Sequence, residues 1–135
     1  MTTVKDIFDH LNNLADVKLA EKWDNVGLML GSNNNEVSRV LVCLDVTTNV
    51  VEEAIAKNVN LIVSHHPLIF KPLKNIDYTT DFKSRIIHNL IKNDISVISF
   101  HTNLDSATLG LNDYLAKILK LNEIQVLFEH SLDNT

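Results

Sequence analysis

Cysteine, proline and glycine are scarce in this chain. Its 135 residues include one cysteine, two prolines and three glycines. A single cysteine, Cys43, excludes a disulfide bond within the chain, and its position in an apolar run predicts a small buried side chain. No apolar stretch is long enough to span a bilayer, and the chain does not begin like a secretory signal. We therefore expect a cytoplasmic protein without a membrane partner.

Basic and aromatic residues are also few. The chain has twelve Lys and Arg residues and seventeen Asp and Glu residues, which gives a net charge of −5. Aromatic residues make up 6% of the chain. Because no basic cluster stands out, duplex nucleic acid is not an expected partner, and the low aromatic content argues against a single-stranded one. The length suits one domain over residues 1–135 that can bury its own core.

Helical periodicity alternates along the chain with short apolar runs that are typical of buried strands. The predicted helices cover residues 3–14, 49–58, 81–93 and 111–121, and the predicted strands cover residues 39–46, 61–63, 95–100 and 124–128. Asn49 is expected to cap the second helix, and strand 39–46 is expected to be buried on both faces. The alternation predicts a layered α/β domain with a mainly parallel sheet flanked by helices.

Two adjacent imidazoles follow the second predicted strand, in the run Ser64-His65-His66-Pro67. Pro67 cannot donate to a central ladder, so the strand is expected to end here. Neighbouring side chains on extended chain point to opposite sides, and at a strand end each histidine could serve one of two ions. Neutral imidazole is a good ligand for several transition metals. The alternative is a polar loop with two solvated histidines.

Polar side chains also follow the other predicted strands. Asp45 lies near the end of the first, and His101 and Asp105 follow the third. Ligands gather at the carboxyl ends of parallel strands, so we expect these groups to meet His65 and His66 at one edge of the sheet. Histidine and carboxylate together suit a first-row metal, and a carboxylate such as Asp45 can orient a ligating ring. Alternatively, His101 and Asp105 only cap the following helix.

The segment 19–31 contains the only tryptophan, Trp23, beside Asp24 and Asn25. A packed loop with Trp23 as its anchor is the simpler interpretation. The alternative is a pocket wall in which Asp24 and Asn25 make polar contacts to a ligand. Other chemistries have weaker support, since the chain lacks a G-x-S-x-G elbow and both common nucleotide-binding glycine motifs. Cys43, in mid-strand, is badly placed for a nucleophile.

Three motifs resemble those of the GTP cyclohydrolase 1 type 2 family, also called NIF-three-like. They are Trp23-Asp24-Asn25-Val26-Gly27-Leu28, then Ser64-His65-His66-Pro67-Leu68-Ile69-Phe70, then His101-Thr102-Asn103-Leu104-Asp105. They occur in the family's order and at its ordinary spacing, and the resemblance runs from about Ile7 to about Leu121.

The resemblance implies a dinuclear centre of two divalent ions, such as zinc, iron or manganese. His65 and His66 would each ligate one ion and Asp105 would be a further ligand. His101 would lie beside the metals as an orienting or proton-transfer group. Trp23, Asp24 and Asn25 would lie near the site without touching metal. Many members assemble as toroidal homohexamers, so self-association of the full-length form is expected.

A second part of the family pattern is missing. In the family, a late histidine followed four residues on by glutamate completes the centre, but here His130 is followed by Asn134 at that spacing. The resemblance therefore implies that this chain corresponds to the amino-terminal part of a longer metal-binding protein. The expected function is metal-dependent hydrolysis of a small molecule or nucleotide, with His101 as proton shuttle. The alternative is a non-catalytic metal-binding scaffold or regulatory interaction protein.

Overall fold

The computed structural model describes residues 1–127. Five α-helices and four strands occur in this part of the chain. The helices are α1 (Val4–Leu14), α2 (Thr48–Ala56), α3 (Phe82–Lys92), α4 (Thr102–Ser106) and α5 (Leu111–Ile118). The strands are β1 (Gly27–Leu30), β2 (Val40–Cys43), β3 (Leu61–Ser64) and β4 (Ser96–Ser99). None of these helices combines the length and apolar character needed to cross a membrane.

One four-stranded sheet runs in the order β1-β4-β3-β2. β2 pairs with β3, and β3 pairs with β4, in parallel, whereas β1 pairs with β4 in the antiparallel sense. The predicted α/β class with a mainly parallel sheet is therefore confirmed. The antiparallel edge strand β1 was not expected, because its residues were interpreted as loop.

The three parallel strands end in register. Cys43 pairs with Ser64, and Ser64 pairs with Ser99, so the ends of β2, β3 and β4 form one row. Gly27, the first residue of β1, also pairs with Ser99. Since β1 runs in the opposite direction, the residues that precede it lie at the same edge as the residues that follow the parallel strands.

Both faces of the sheet are covered by helices. Ile62 and Val97 belong to a core cluster with buried residues of α2 and α3. Their neighbours Leu61 and Ile98 belong to a second cluster with Val4 of α1. Alternate strand residues thus enter different cores, as the two-residue period of a strand requires. The sheet is consequently packed against helices on both faces.

Helix starts are fixed by short polar side chains. Thr3 and Asp6 form a capping box at the start of α1. Asp81 caps α3 by accepting from the amide of Ser84 at 2.6 Å. The cap of α2 is Thr47, whose side chain accepts from the amide of Val50, so the prediction of Asn49 was wrong by two residues. Both Thr47 and Asn49 suit the position chemically, and sequence alone did not distinguish them.

Three further expectations need correction. β2 is not buried on both faces, because it lies at the edge of the sheet and Val42 is 77% exposed. Residues 124–127 form no strand, and Phe128, the last residue predicted for that strand, lies outside the described residues together with His130. Cys43 is half-buried rather than buried, and that burial raises the pKa of its thiol to about 11.

Two glycines with positive φ provide a test of the β1 edge. Gly27 and Gly31 have φ values of +101° and +102°. A Cβ at Gly31 would lie 2.2 Å from Oγ and 2.9 Å from Cα of Ser96, whereas at Gly27 the nearest atom would be 3.6 Å away on Phe8. We expect Gly27→Ala to lower the free energy of unfolding by about 1–2 kcal/mol through backbone strain. Gly31→Ala should lose about 1–3 kcal/mol more, because β4 must also move.

Urea denaturation of the two variants beside the parent measures this difference. Equal losses in the two variants would contradict the close approach of Gly31 to β4.

Candidate metal centre

The turn after β3 is fixed by buried hydroxyls. Ser64 ends the strand, and its Oγ donates to the carbonyl of His66 at 2.9 Å. Oγ of Ser99, at the end of β4, lies 2.8 Å from Oγ of Ser64, where it can donate to that oxygen. Both serines are buried, so this pair joins the two strand ends and determines the direction in which the chain leaves β3.

Three imidazoles meet at this edge of the sheet. The ring centroids of His65 and His66 are 5.1 Å apart, and the ring of His101 lies 5.1 Å from the first and 5.6 Å from the second. One ring nitrogen from each residue lies within 4.8 Å of the others. Among residues 1–127, this is the one group of three or more histidine, cysteine or acidic side chains with ligand atoms so close together.

The hydrogen bonds of His65 and His66 assign their tautomers. Nδ1 of His65 lies 3.0 Å from the carbonyl of Phe100, which can only accept, so Nδ1 carries the proton. Nδ1 of His66 lies 2.7 Å from a carboxylate oxygen of Asp45 and donates to it in the same way. In the neutral form of both rings, Nε2 keeps its lone pair for a metal. A backbone carbonyl or carboxylate on the other nitrogen is the usual support of a ligating histidine.

His101 is oriented by Asp24. Its Nδ1 lies 2.9 Å from Oδ1 and 3.1 Å from Oδ2 of that carboxylate. Asp24 also accepts from the amide of Asn25 at 2.8 Å, from the amide of Thr102 at 3.1 Å and from the hydroxyl of Thr102. Burial raises the pKa of the Asp24 carboxyl, but the bonds from Thr102, His101 and Asn25 outweigh it and leave the pKa lowered. The ring of His101 is thus held beside a carboxylate that is ionised at neutral pH.

Asp105 brings an unsatisfied carboxylate oxygen to the histidines. Its Oδ1 is buried and has no hydrogen-bond partner among residues 1–127, and Nε2 of His65 lies 3.8 Å from it. With its proton on Nδ1, His65 has no hydrogen on Nε2 to donate to this oxygen. A buried carboxylate oxygen without a donor is costly, and a bound cation would remove that cost. The donor set of imidazole nitrogens and one free carboxylate oxygen therefore fits divalent metal ions.

Trp23 lies at the margin of this cluster. It is 61% exposed, so the interpretation of Trp23 as a packed anchor was wrong. Its ring makes edge contacts with His101, at a centroid distance of 6.5 Å, and with Phe70, at 6.1 Å. The neighbouring Asn25 donates from Nδ2 to the carbonyl of Ile69 and thereby ties the two loops together.

Comparison with known proteins identifies the family. The sequence model of Duf34/NIF3 (NGG1p interacting factor 3) matches residues 2–133. The chain belongs to this family.

Curated relatives of this NIF3-family chain carry the name GTP cyclohydrolase 1 type 2 homolog. The one from Clostridium acetobutylicum is 40% identical over 128 residues, which are 95% of this chain and 47% of the relative. The one from Listeria innocua is 43% identical over 119 residues, which are 88% of this chain and 32% of the relative. The chain thus spans about half or less of the length of these relatives.

Solved structures agree with the fold. A Bacillus cereus protein related to NIF3 superposes with a TM-score of 0.91 at 41% identity, over 97% of this chain and 36% of that one. Reduced HcgD from Methanocaldococcus jannaschii superposes with a TM-score of 0.86 at 32% identity, over 95% of this chain and 51% of that one.

The structure of this NIF3-family chain brings most of the predicted site residues together. His65, His66, His101 and Asp105 form the cluster, and Asp45 and Asp24 hold two of its rings. The side-chain amide of Asn25 instead donates to the carbonyl of Ile69, in the loop after β3. The roles assigned to these residues stay predictions. Sequence reasoning missed the carbonyl of Phe100, which no side-chain pattern reveals, and the hydroxyls of Ser64, Ser99 and Thr102, whose only signal was their place beside the histidines.

The buried Asp24 predicts a pH dependence of stability. Because its folded pKa is lowered from 3.8, the ionised form stabilises the fold above pH 3.8, and this contribution is lost as the pH falls through the folded pKa. Asp24→Asn should cost roughly 1–3 kcal/mol at pH 7, and the gap to the parent should narrow below pH 3.8.

Urea unfolding across the pH range measures the gap. Asp94→Asn, at an exposed position, is the control and should stay within about 0.5 kcal/mol of the parent. A gap for Asp24→Asn that stays constant down to pH 2 would show that the charge of Asp24 is not what stabilises the fold.

Proposed function

We propose that His65, His66 and Asp105 hold divalent metal ions and that the protein is a metal-dependent hydrolase. The observation that carries this proposal is the unsatisfied buried oxygen of Asp105 beside imidazoles whose Nδ1 atoms already donate elsewhere. Such an arrangement has acceptors and lacks donors, which suits a cation better than a hydrogen-bonded network.

The number of ions is taken from the family resemblance, which implies a pair. His65 and His66 each offer one nitrogen, and in this proposal each would ligate a different ion of that pair. Asp105 would add its buried carboxylate oxygen Oδ1. Imidazole with carboxylate suits zinc, iron and manganese. When bound, such ions would polarise the bond to be hydrolysed and lower the pKa of water.

His101 would handle the proton. With Nδ1 donating to Asp24, its Nε2 can accept a proton, and the adjacent carboxylate stabilises the imidazolium that results. Thr102 and Asn25 hold the carboxylate in place, so the ring keeps one orientation through the transfer. His65 and His66 are held by acceptors of their own and would keep their positions as ligands.

The substrate and assembly belong to the same proposal. The curated relatives are named as homologs of a GTP cyclohydrolase, which favours a nucleotide or another small molecule with a hydrolysable ring. We also propose a cytoplasmic protein whose full-length form associates into a ring-shaped homohexamer, as the family resemblance implies. The chain spans only part of these relatives, so activity is to be sought in the full-length protein as well.

Metal content tests the ligand assignment. The purified protein should retain zinc, iron or manganese. His65→Ala should reduce the amount of bound metal by at least tenfold, because one ion loses a directly coordinating nitrogen. His10→Ala removes an exposed histidine of α1 and should keep the parental metal content. Elemental analysis by mass spectrometry measures all three proteins. Equal metal content in the His65 and His10 variants would refute the assignment.

Turnover separates the hydrolase from a metal-binding scaffold. GTP hydrolysis is measured with and without added Zn²⁺ or Mn²⁺, and His101→Gln should lower kcat by roughly 10²–10⁴-fold while metal content stays near the parental value. Loss of metal together with rate would make His101 a ligand instead. Bound metal with no turnover of GTP, in this chain and in the full-length protein, would favour the scaffold.

A further inference from the structure

A groove lies beside the candidate metal centre. It is formed by the loop after β3 and the start of α3 and has a volume of about 430 Å³. The residues that line it are Phe70, Lys71, Pro72, Leu73, Lys74, Asn75, Asp81 and Lys83. Three of these eight are lysines, which gives the groove a chemistry quite different from that of the neighbouring histidine cluster.

The groove is locally basic in an acidic protein. Residues 70–85 contain four basic and two acidic side chains, whereas the whole chain carries a net charge of −5. The two acidic groups stay ionised and reduce this excess to two positive charges, while their oxygens accept hydrogen bonds from nearby backbone and hydroxyl groups. Asp81 caps α3, and Asp77 accepts from the amide and hydroxyl of Thr79 and from the hydroxyl of Thr80.

The lysine ammonium groups remain available to a ligand. Within residues 1–127, the ion pairs do not include Lys71, Lys74 or Lys83. Ammonium groups gathered along a groove attract an anion, and several together suit one that carries several negative charges.

Aromatic side chains connect the groove to the histidines. Phe70 lines the groove and contacts Trp23, and Trp23 in turn contacts His101. Trp23 is 61% exposed and Phe70 is 39% exposed, so both can meet a ligand. Exposed aromatic side chains of this kind stack on planar rings. A ligand that spans this surface would have an anionic end at the lysines and a planar ring toward the metal centre.

We propose that Lys71, Lys74 and Lys83 form an oligophosphate-binding subsite, and that Trp23 and Phe70 receive a planar ring attached to that oligophosphate. The ligand class is thus a small molecule that joins an aromatic ring to a chain of phosphates. This inference rests on the proposed function, since it places the ring beside the proposed hydrolytic centre. The subsite itself is built from residues that do not ligate metal.

Calorimetric titration with inorganic triphosphate tests the subsite. The protein is used as purified, and the metal content of every sample is measured, because triphosphate itself binds divalent ions. Lys71→Ala and Lys74→Ala should each weaken binding by roughly two- to fivefold, as exposed ion pairs do, and the double variant by roughly tenfold. Lys92→Ala, which removes an exposed lysine from the last turn of α3, is the charge-matched control and should bind like the parent.

Trp23→Ala tests the ring contact. It should weaken the binding of GTP or ATP by about fivefold or more and leave the binding of inorganic triphosphate unchanged. An RNA trinucleotide without terminal phosphates serves as a further probe. If it bound more tightly than GTP, the assignment to a small molecule would be overturned.

If Trp23→Ala weakened the binding of GTP and of inorganic triphosphate equally, the ring contact would be overturned.

The outcomes distinguish this proposal from the proposed function. Lysine variants that keep parental metal content but bind triphosphate less tightly support the subsite, even where no turnover is detected. Lysine variants that bind triphosphate like Lys92→Ala overturn it, even where metal and turnover are present. Absence of metal from the parent protein ends the hydrolase proposal and leaves the triphosphate titrations to decide the subsite on their own.

Discussion

The common ending of three parallel strands is the constraint on which the site depends. Cys43, Ser64 and Ser99 form one row across the sheet, so whatever follows each strand emerges at the same edge. That register brings side chains separated by some sixty residues of sequence, from Asp45 to Asp105, to the same edge. A slip of one residue in any strand would turn its side chains to the opposite face and disperse the cluster. The helices packed on both faces prevent such a slip by burying alternate residues.

Hydrogen bonds then decide what the imidazoles can do. The carbonyl of Phe100 and the carboxylates of Asp45 and Asp24 each accept a hydrogen bond from the Nδ1 of a different histidine. In their neutral form, three rings with this tautomer have three Nε2 atoms that can accept but not donate. A histidine cluster that served only packing would gain by pairing donors with acceptors within itself. Here acceptors outnumber donors, and the bare oxygen of Asp105 extends that imbalance. The arrangement is electrostatically complementary to a cation.

The parallel part of the site could be foreseen from sequence, and the antiparallel part could not. Each of two apolar runs is followed by a histidine, His65 or His101. One local pattern therefore predicts both the strand and the polar group at its end. β1 has no such signal, because it begins at Gly27 and is followed by Gly31, and so short a segment bounded by glycines was interpreted as loop. Without β1, only family resemblance placed Asp24 near the site, and nothing linked it to His101. Backbone acceptors such as the carbonyl of Phe100 depend on strand pairing and leave no mark on the amino-acid pattern.

Charge is distributed unevenly around this edge. The histidine cluster is bordered by the carboxylates of Asp24, Asp45 and Asp105, while the loop that begins at Lys71 carries the basic groups. Uncharged aromatic rings, Trp23 and Phe70, lie between the two regions. If the lysines lay among the histidines they would repel a cation, and if these three carboxylates joined Asp81 at the groove they would repel an anion. Separation by an apolar surface lets one edge of a small domain attract ions of both signs.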